Sequence, residues 1–401
     1  MRLAIIGGKL QGVEAAYLAR KAGWQTLLID KRANTPASGL CDETILADVC
    51  QPAVIQSVLT KVDLILPALE NREALAALKK VQRELNCPIA FDFVANALSC
   101  SKSLSYALFG KLGLDMPKPF PECGFPLLVK PDSSSGSRGV TILENEADYR
   151  RFFGQTEQTA ESWVGQQFIA GPSYSLEVIG RDGHYDTPQI TEIHMDQGND
   201  CKAVTAPTAI SQELAEKLRC ISLQLAHALN LCGIMDVEVI AQDDRLYLLE
   251  IDARLPSQTP IAVYWSQKTN MLELLADVYL PGTNNVVLKQ AAPQHVRLEH
   301  IQVTDGVMTL AGEHLMGTAG PLATQEGFFG IQEAITDYVP GKKHWCATLI
   351  HTGVTAEELE NRRMIGLAQI KASCGIIQVI DSKPTTRVHQ GEACHDTVEI
   401  C

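Results

Sequence analysis

The sequence predicts an α/β unit at the N-terminus followed by α+β units, and three observations carry this. Residues 1–92 alternate apolar strands with helices. A proline-rich connector, PKPFPECGFP, closes the next stretch. Beyond it, strands surround the flexible run KPDSSSGSRGV, and an acid-rich hairpin follows in GIMDVEVIAQDDRLYLLEIDARLPSQTP.

Taken in order, RLAIIGG, WQTLLID, VDLILPAL and CPIAFDF are near-continuous apolar runs, the pattern of parallel strands covered on both faces. GVEAAYLARKAG and NREALAALKKVQREL have helical periodicity between them. A helical stretch is expected from about 93 to 125, ending at the prolines, which mark a boundary. PLLVK and VTILEN then flank the Gly/Ser loop, and after a short helix WVGQQFI and YSLEVIG complete a small α+β unit. A helix over QELAEKLRCISLQLAHALNL feeds the acidic hairpin, another helix spans 271–279, and residues from 291 onward read as strand-rich α+β. The expected units are therefore 1–92, 93–180, 181–290 and 291–401.

Composition bounds the function. The chain has 401 residues, 46% of them hydrophobic and 20% charged, enough to bury several cores. Its net charge of −13 is spread along the chain, which disfavours nucleic acid and anionic membrane as partners and favours small molecules. No apolar run reaches the roughly 20 residues that span a bilayer, and no signal-peptide pattern opens the chain. A cytoplasmic enzyme is expected, and nothing in the sequence speaks to oligomeric state. Twelve cysteines are scattered without a CxxC, as for reduced thiols in a reducing compartment. His389, Cys394, His395 and Cys401 could bind a soft metal, but a loosely ordered tail is the expectation.

The opening LAIIGGKLQGVEAAYLARKAGWQTLLID has the frame of a dinucleotide fingerprint, with Gly7, Gly12 and the acid Asp30 at the end of the second strand. The middle glycine, which lets the backbone approach a pyrophosphate, is replaced by Lys9. Two readings stay open here: nicotinamide binding, or a Rossmann-like unit that presents KLQG to another polar ligand.

The hairpin is more telling. Asp236 and Glu238 are two apart on its first strand, as are Glu250 and Asp252 on its second, and side chains two apart share a face. Arg254 continues the row. If the faces coincide, acids this dense call for a cation, and magnesium takes one or two carboxylates and completes its shell with phosphate and water. The alternative is a solvated charged face. A third element is Lys130 before PDSSSGSRGV, whose backbone N–H groups and hydroxyls suit phosphate oxygens, although a plain surface loop has the same composition.

Together these strings resemble the ATP-grasp carboxylate–amine ligases. The resemblance implies an ATP-grasp fold with a Rossmann-like N-terminal domain, a mobile lid and a C-terminal α+β domain. GGKLQGVEAAYL, LPALEN, FDF, GIMDVEVI and EIDARLPSQTP are similar, more closely, to the branch serving pyrrolysine biosynthesis. That branch joins the carboxylate of 3-methyl-D-ornithine to the side-chain amine of L-lysine; D-ornithine, which lacks one methyl, is expected to be accepted as a poorer analogue.

The resemblance implies roles by position. Lys102 and Lys130 match nucleotide-contacting lysines, with Lys9 near the nucleotide, Ser134, Ser135 and Gly136 in the phosphate loop, and Gln167, Phe168 and Ile169 reading adenine through their backbone. Glu238, Glu250 and Asp252 match magnesium positions, and Arg254 with Lys130 steadies the transferring phosphoryl group. Asp236, Glu177 and Ser257 face the ornithine-type substrate, and Leu10, Gln11 and Glu70 the L-lysine end. ATP and Mg²⁺ are the implied cofactors. Four positions depart from the family: Asp252 stands where asparagine is commoner, Gln166 and Gln167 replace a glutamate pair, and Ser173 replaces a ribose-binding glutamate. Competing readings are another amino-acid or dipeptide ligase or carboxylase of this fold, an NAD(P)-dependent oxidoreductase built on the N-terminal unit, and a nucleotide-binding regulator that has lost catalysis.

Overall fold

A computed structural model describes residues 1–51, 61–133, 136–155, 162–282 and 294–383. The N-terminal unit contains β1 (Arg2–Ile6), α1 (Leu10–Lys21), β2 (Gln25–Asp30), β3 (Glu43–Leu46), β4 (Leu64–Pro67) and α2 (Arg72–Val81). Its four strands form a parallel sheet in the order β3-β2-β1-β4. CPIAFDF does not add the strand expected there. Only Ile89 bridges to Ile65, because Asp92 instead accepts the N–H groups of Val94 and Ala95 and caps α3 (Phe93–Ser99). The helical stretch to 125 resolves into α3 and α4 (Lys102–Lys111).

A small lid sheet follows. It consists of β5 (Leu127–Pro131), β6 (Thr141–Leu143) and β7 (Trp163–Gln167), ordered β6-β5-β7 and antiparallel, with α5 (Glu146–Gln155) beside it. YSLEVIG does not pair with WVGQQFI as expected. It lies in β8 (Ser173–Arg181) of a larger sheet, where eight consecutive residues are buried, as a central strand demands.

That larger sheet continues with β9 (His184–Asp186), β10 (Thr191–Met195), β11 (Cys201–Ala206), α6 (Gln212–Leu229), β12 (Gly233–Gln242) and β13 (Arg245–Asp252). Then come α7 (Thr259–Gln267), α8 (Met271–Tyr279), β14 (His295–Thr304), β15 (Val307–Leu310), β16 (Ala323–Glu326), β17 (Glu333–Thr336), β18 (His344–Gly353), α9 (Ala356–Ser373) and β19 (Gln378–Asp381). Its main path is β13-β12-β8-β10-β11-β14-β18-β17-β16. The β11–β14 pairing carries the sheet across residue 291, so core and C-terminal strands share one ladder.

The N-terminal unit is fastened to this sheet through α1, which is buried from Gly12 to Ala19. That stretch is apolar except for Glu14, and a helix covered on all sides belongs inside. Tyr17 and Ala16 join one core with Ile261, Val263, Leu272 and Leu275 of α7 and α8. Trp265 Nε1 donates to the Tyr17 hydroxyl at 2.8 Å, and Asn270 Nδ2 to the Leu18 carbonyl at 2.9 Å. Gly12 is required for this seating: a Cβ there would come within 2.2 Å of the Gly7 carbonyl oxygen.

Candidate active site

The acid row depends on a register shift. β12 and β13 are joined by Asp243 and Asp244, both at positive φ (50° and 58°), the two-residue turn that matches strand twist. Near the turn the pairs are Gln242↔Arg245, Ala241↔Leu246, Ile240↔Tyr247 and Val239↔Leu248. Continued without interruption, that register would set Glu250 opposite Val237, on the core side. A bulge at Leu249 adds one residue, so Glu238 faces Glu250 and Asp236 faces Asp252. β8 extends both rows, with Glu177 opposite Asp236 and Ser175 opposite Glu238.

Two lysines converge on the outer row. Lys102 Nζ lies 3.6 Å and Lys130 Nζ 3.9 Å from Glu250 Oε2. Lys130 also reaches the carbonyl of the bulged Leu249 (3.5 Å), and the Tyr106 hydroxyl donates to that carbonyl (3.2 Å). Tyr106 further hydrogen-bonds the buried Gln166 side chain and places its ring 5.6 Å from Lys130 Nζ. Asp132 ties the two lysine-bearing elements together. Its carboxylate accepts the Ser103 N–H (2.7 Å) and Ser101 hydroxyl (2.9 Å), and its carbonyl accepts the Lys102 N–H (3.1 Å).

Arg254 closes the inner row, with Nη2 2.9 Å from Asp252 Oδ2 and Nε 2.7 Å from Glu70 Oε1. Gln11 Nε2 donates to the same Glu70 oxygen at 2.9 Å. Burial raises the carboxyls of Glu238, Asp236 and Asp252, the last to about 7, and their neighbouring acids add to the effect. Burial acts the same way on Glu250, but Lys130, Lys102 and Arg254 outweigh it and hold that carboxyl below its ordinary value. Three opposed acids pushed towards the neutral form mark a site short of positive charge, and the oxygen donor set fits a hard cation. Among the described residues no three acid, imidazole or thiol groups would enclose a metal ion by themselves. A cation sharing its shell with phosphate and water does not need them to.

Two cavities meet here. The smaller, about 90 Å³, is lined by Lys102, Ser133, Glu250, Asp252, Cys100 and Arg254. The larger, about 530 Å³, is lined by Lys9, Leu10, Gln11, Ser257, Gly136 and Arg138, with Glu313 and His314 from beyond the hairpin. Glu70 and Arg254 line both. The structure thus brings together most residues expected from sequence. Glu177 is fully buried beneath them, bonded to the Thr259 hydroxyl, and Asp236 is bonded to Ser175. In the hinge, the N–H groups of Gln167 and Phe168 are already committed to the Lys118 and Pro126 carbonyls, at 2.8 and 3.3 Å. Ser134 and Ser135, and the four His and Cys of the tail, lie outside the described residues.

The dinucleotide reading fails on Asp30. One of its oxygens accepts the Gly8 N–H (2.9 Å), the other accepts the Arg32 N–H (2.9 Å), and the Arg32 guanidinium pairs with both. An acid so engaged holds its own turn together, and the exposed Lys9 occupies the approach to the backbone.

Sequence reasoning missed Glu313, Arg138, Tyr106 and Glu14. Glu14 is a buried acid on α1 whose two oxygens accept the N–H groups of Gln258 (2.9 Å) and Ile261 (2.7 Å) at the start of α7. Burial pushes its carboxyl up to about 8, against the pull of those two bonds. The folded chain then keeps a proton that the unfolded chain, with an ordinary value of 4.5, has released. Its contribution is complete below about pH 4.5 and is lost as pH rises through about 8. Melting temperatures of Glu14→Gln and the parent are expected to diverge in the variant's favour from about pH 5 to about pH 8.5. A difference constant with pH would refute the assignment.

The comparisons with known proteins agree with this geometry. Residues 100–258 match the ATP-grasp domain family. The fold is similar to N5-carboxyaminoimidazole ribonucleotide synthetase in an ADP complex (TM-score 0.69, 16% identity, covering 93% of this chain and 97% of that one). It is also similar to an L-amino acid ligase from Bacillus licheniformis (TM-score 0.66, 16% identity, covering 91% and 96%). Fold and site define an ATP-dependent enzyme of the ATP-grasp class that forms a carbon–nitrogen bond. Over 378 residues the chain is 34% identical to the 3-methyl-D-ornithine–L-lysine ligase of Methanosarcina acetivorans, covering 93% of this chain and 98% of that one. It is 32% identical to the Methanosarcina barkeri enzyme of the same name, covering 94% and 99%. The chain belongs to the 3-methyl-D-ornithine–L-lysine ligase family.

Proposed function

We propose that this chain condenses the carboxylate of 3-methyl-D-ornithine with the ε-amine of L-lysine at the expense of ATP, serving pyrrolysine biosynthesis in the cytoplasm. The observation that carries the reading is the junction of the two cavities at Glu70 and Arg254. One side holds lysines and carboxylates suited to a nucleotide and its metal, and the other is large enough for two amino acids and bears acids for their ammonium groups.

The ornithine carboxylate attacks the γ-phosphorus, the bond to the β,γ-bridging oxygen breaks, and ADP leaves an acyl phosphate. Lys102 and Lys130 hold the phosphates, and Arg254 faces the transferring group, in a reaction whose catalysis is mainly positioning and charge neutralisation. Glu238, Glu250 and Asp252 would hold Mg²⁺, which when bound supplies charge neutralisation on the phosphate oxygens. The ε-amine of lysine, as the free base, then attacks the acyl carbon, the carbon–oxygen bond to phosphate breaks, and the nitrogen loses its proton to Glu70 or Asp236. Leu10 and Gln11 bound the lysine end. Ser257 and Asp236, with Glu177 beneath, bound the ornithine end. Gly136 and Arg138 bring the lid over the cavity to exclude water from the acyl phosphate. Lys9 faces the larger cavity, and the Gln167–Ile169 hinge reads adenine mainly through its carbonyls and the Ile169 N–H.

The test is ADP and phosphate release with D-ornithine, L-lysine or both, following the amide product by mass. Release and product are expected only with both, and chelation of Mg²⁺ should abolish them. One missing methyl costs about 1–3 kcal/mol in an apolar pocket, so D-ornithine should serve as a weaker substrate. Release with neither amino acid acting as acceptor, or a product from a different pair, would overturn the reading in favour of another ligase of this fold.

A further inference from the structure

The turn between β10 and β11 and the segment after β15 hold each other. In the turn DQGND, Asp196 Oδ1 accepts the N–H groups of Gly198 (2.7 Å) and Asp200 (3.0 Å), while its Oδ2 crosses to the Gly312 N–H (2.9 Å). Asp200, also buried, takes the His314 N–H on Oδ2 at 3.0 Å. Gly312 permits this approach, since a Cβ there would lie 1.9 Å from Asp200 Oδ2.

The same Asp200 oxygen bonds His314 Nδ1. A carboxylate oxygen only accepts, so Nδ1 carries the hydrogen and Nε2 of the neutral ring is left as an acceptor. That nitrogen lies 3.7 Å from where a Cβ on Gly136 of the lid would stand, and both residues line the larger cavity. His314 is the one imidazole among the described residues that line the two cavities.

Amide formation calls for such an acceptor. An ε-ammonium has no lone pair and must lose one proton before it attacks; a second leaves afterwards. The later proton comes off a nitrogen already bonded to the acyl carbon and is far more acidic, so a carboxylate engaged elsewhere can take it. The earlier one needs a stronger base, and bulk water cannot serve once the lid has closed. The cavity's carboxylates are occupied: Glu70 by Arg254 (2.7 Å) and Gln11 (2.9 Å), Asp30 by Arg32 (3.3 Å), and Glu313 by the Ser257 hydroxyl (2.8 Å). Imidazole is the side chain that exchanges protons near neutrality.

We infer that His314 is a further catalytic residue, whose Nε2 takes the proton of the L-lysine ε-ammonium before attack, and that Asp200 is a positioning residue that fixes the ring and its tautomer. This rests on the substrate reading above. The ammonium N–H bond breaks, its electron pair stays on nitrogen as the nucleophile, and an Nε2–H bond forms. Asp200 balances the imidazolium until the lid opens and the proton passes to solvent.

Hydroxylamine separates the roles, because it is a free base at neutral pH and traps an acyl phosphate without prior deprotonation. The full chain is given ATP, Mg²⁺ and D-ornithine with either L-lysine or hydroxylamine, and amide and hydroxamate are followed by mass. If the parent makes neither, the substrate reading falls and this assignment falls with it. Given parental turnover with both, His314→Gln should lower the rate with L-lysine about 10²- to 10⁴-fold and leave hydroxamate formation unchanged. Asp200→Asn should show the same split, at about 10-fold or more. An equal loss with both amines, or a rate with L-lysine like the parent's, overturns the assignment. If His314→Gln shows no cooperative melt, His314→Ala in added imidazole decides: restored turnover of L-lysine supports the proposal, and no restoration overturns it.

Discussion

Replacing Arg254 with methionine is expected to lower kcat for amide formation by about 10³-fold, the scale of losing an arginine that meets a transferring phosphoryl group. The side chain is long enough to fill the space, so the loss reports charge and donors more than packing. Arg254 also pairs Asp252 with Glu70 across the junction of the cavities. Removing it leaves two half-buried acids facing each other, and a cost of up to about 3–5 kcal/mol in stability should accompany the kinetic loss. Arg254→Lys should recover stability better than rate, because a single ammonium cannot satisfy both carboxylates in the planar fork that a guanidinium offers. Turnover within 10-fold of the parent for Arg254→Met, measured as single-turnover product formation, would remove this residue from the chemistry.

The second large effect concerns Glu250. While the carboxyls of Asp236, Glu238 and Asp252 are raised, that of Glu250 is held below its ordinary value, because Lys130 and Lys102 outweigh its burial. Glu250→Gln should raise KM for ATP and lower kcat together, each step taken as about 10- to 10³-fold in the combined constant. Burial already pulls the Lys130 ammonium down, and Glu250 is the first acid opposing that pull. Without it, Lys130 should lose its proton at lower pH, so the alkaline limb of the pH–rate profile should move to lower pH. A profile that keeps its alkaline limb while the rate drops would mean that Glu250 acts without Lys130.

Much of this site could be read in the sequence because strand periodicity is a local property. Asp236, Glu238, Glu250 and Asp252 announce a shared face two residues at a time, and Lys102 and Lys130 stand in strings that resemble a known family. Their meeting, however, required the bulge at Leu249. The Asp243–Asp244 turn alone puts Glu250 on the core side, and nothing in AQDDRLYLLEID marks which residue is left unpaired. Glu14 and Glu313 were invisible for a different reason. Each reaches the site from a distant part of the chain, Glu14 from a helix read only for its periodicity and Glu313 from the short 3-10 turn between β15 and β16, and single-sequence periodicity carries no information on such contacts. YSLEVIG was misplaced because an apolar strand after a hinge pairs equally well, on pattern alone, with either sheet. Tertiary burial decided in favour of the large one.

The large sheet stops at β13, the strand that bears Glu250 and Asp252. A sheet margin is a template on which foreign strands can grow, and proteins usually blunt it with charge or irregularity. Here the outer groups of that margin are occupied: the Leu248 N–H donates to the Asp115 carbonyl at 2.9 Å, just beyond the strand the Ala253 N–H donates to Ser99 at 3.1 Å, and the Leu249 carbonyl is taken by Tyr106 and Lys130. Asp115, Ser99, Tyr106 and Lys130 therefore act as the guard against self-association. Of these covering groups only Lys130 belongs to the lid sheet, so an opening of the lid would free one contact on the Leu249 carbonyl and leave the rest of the margin covered.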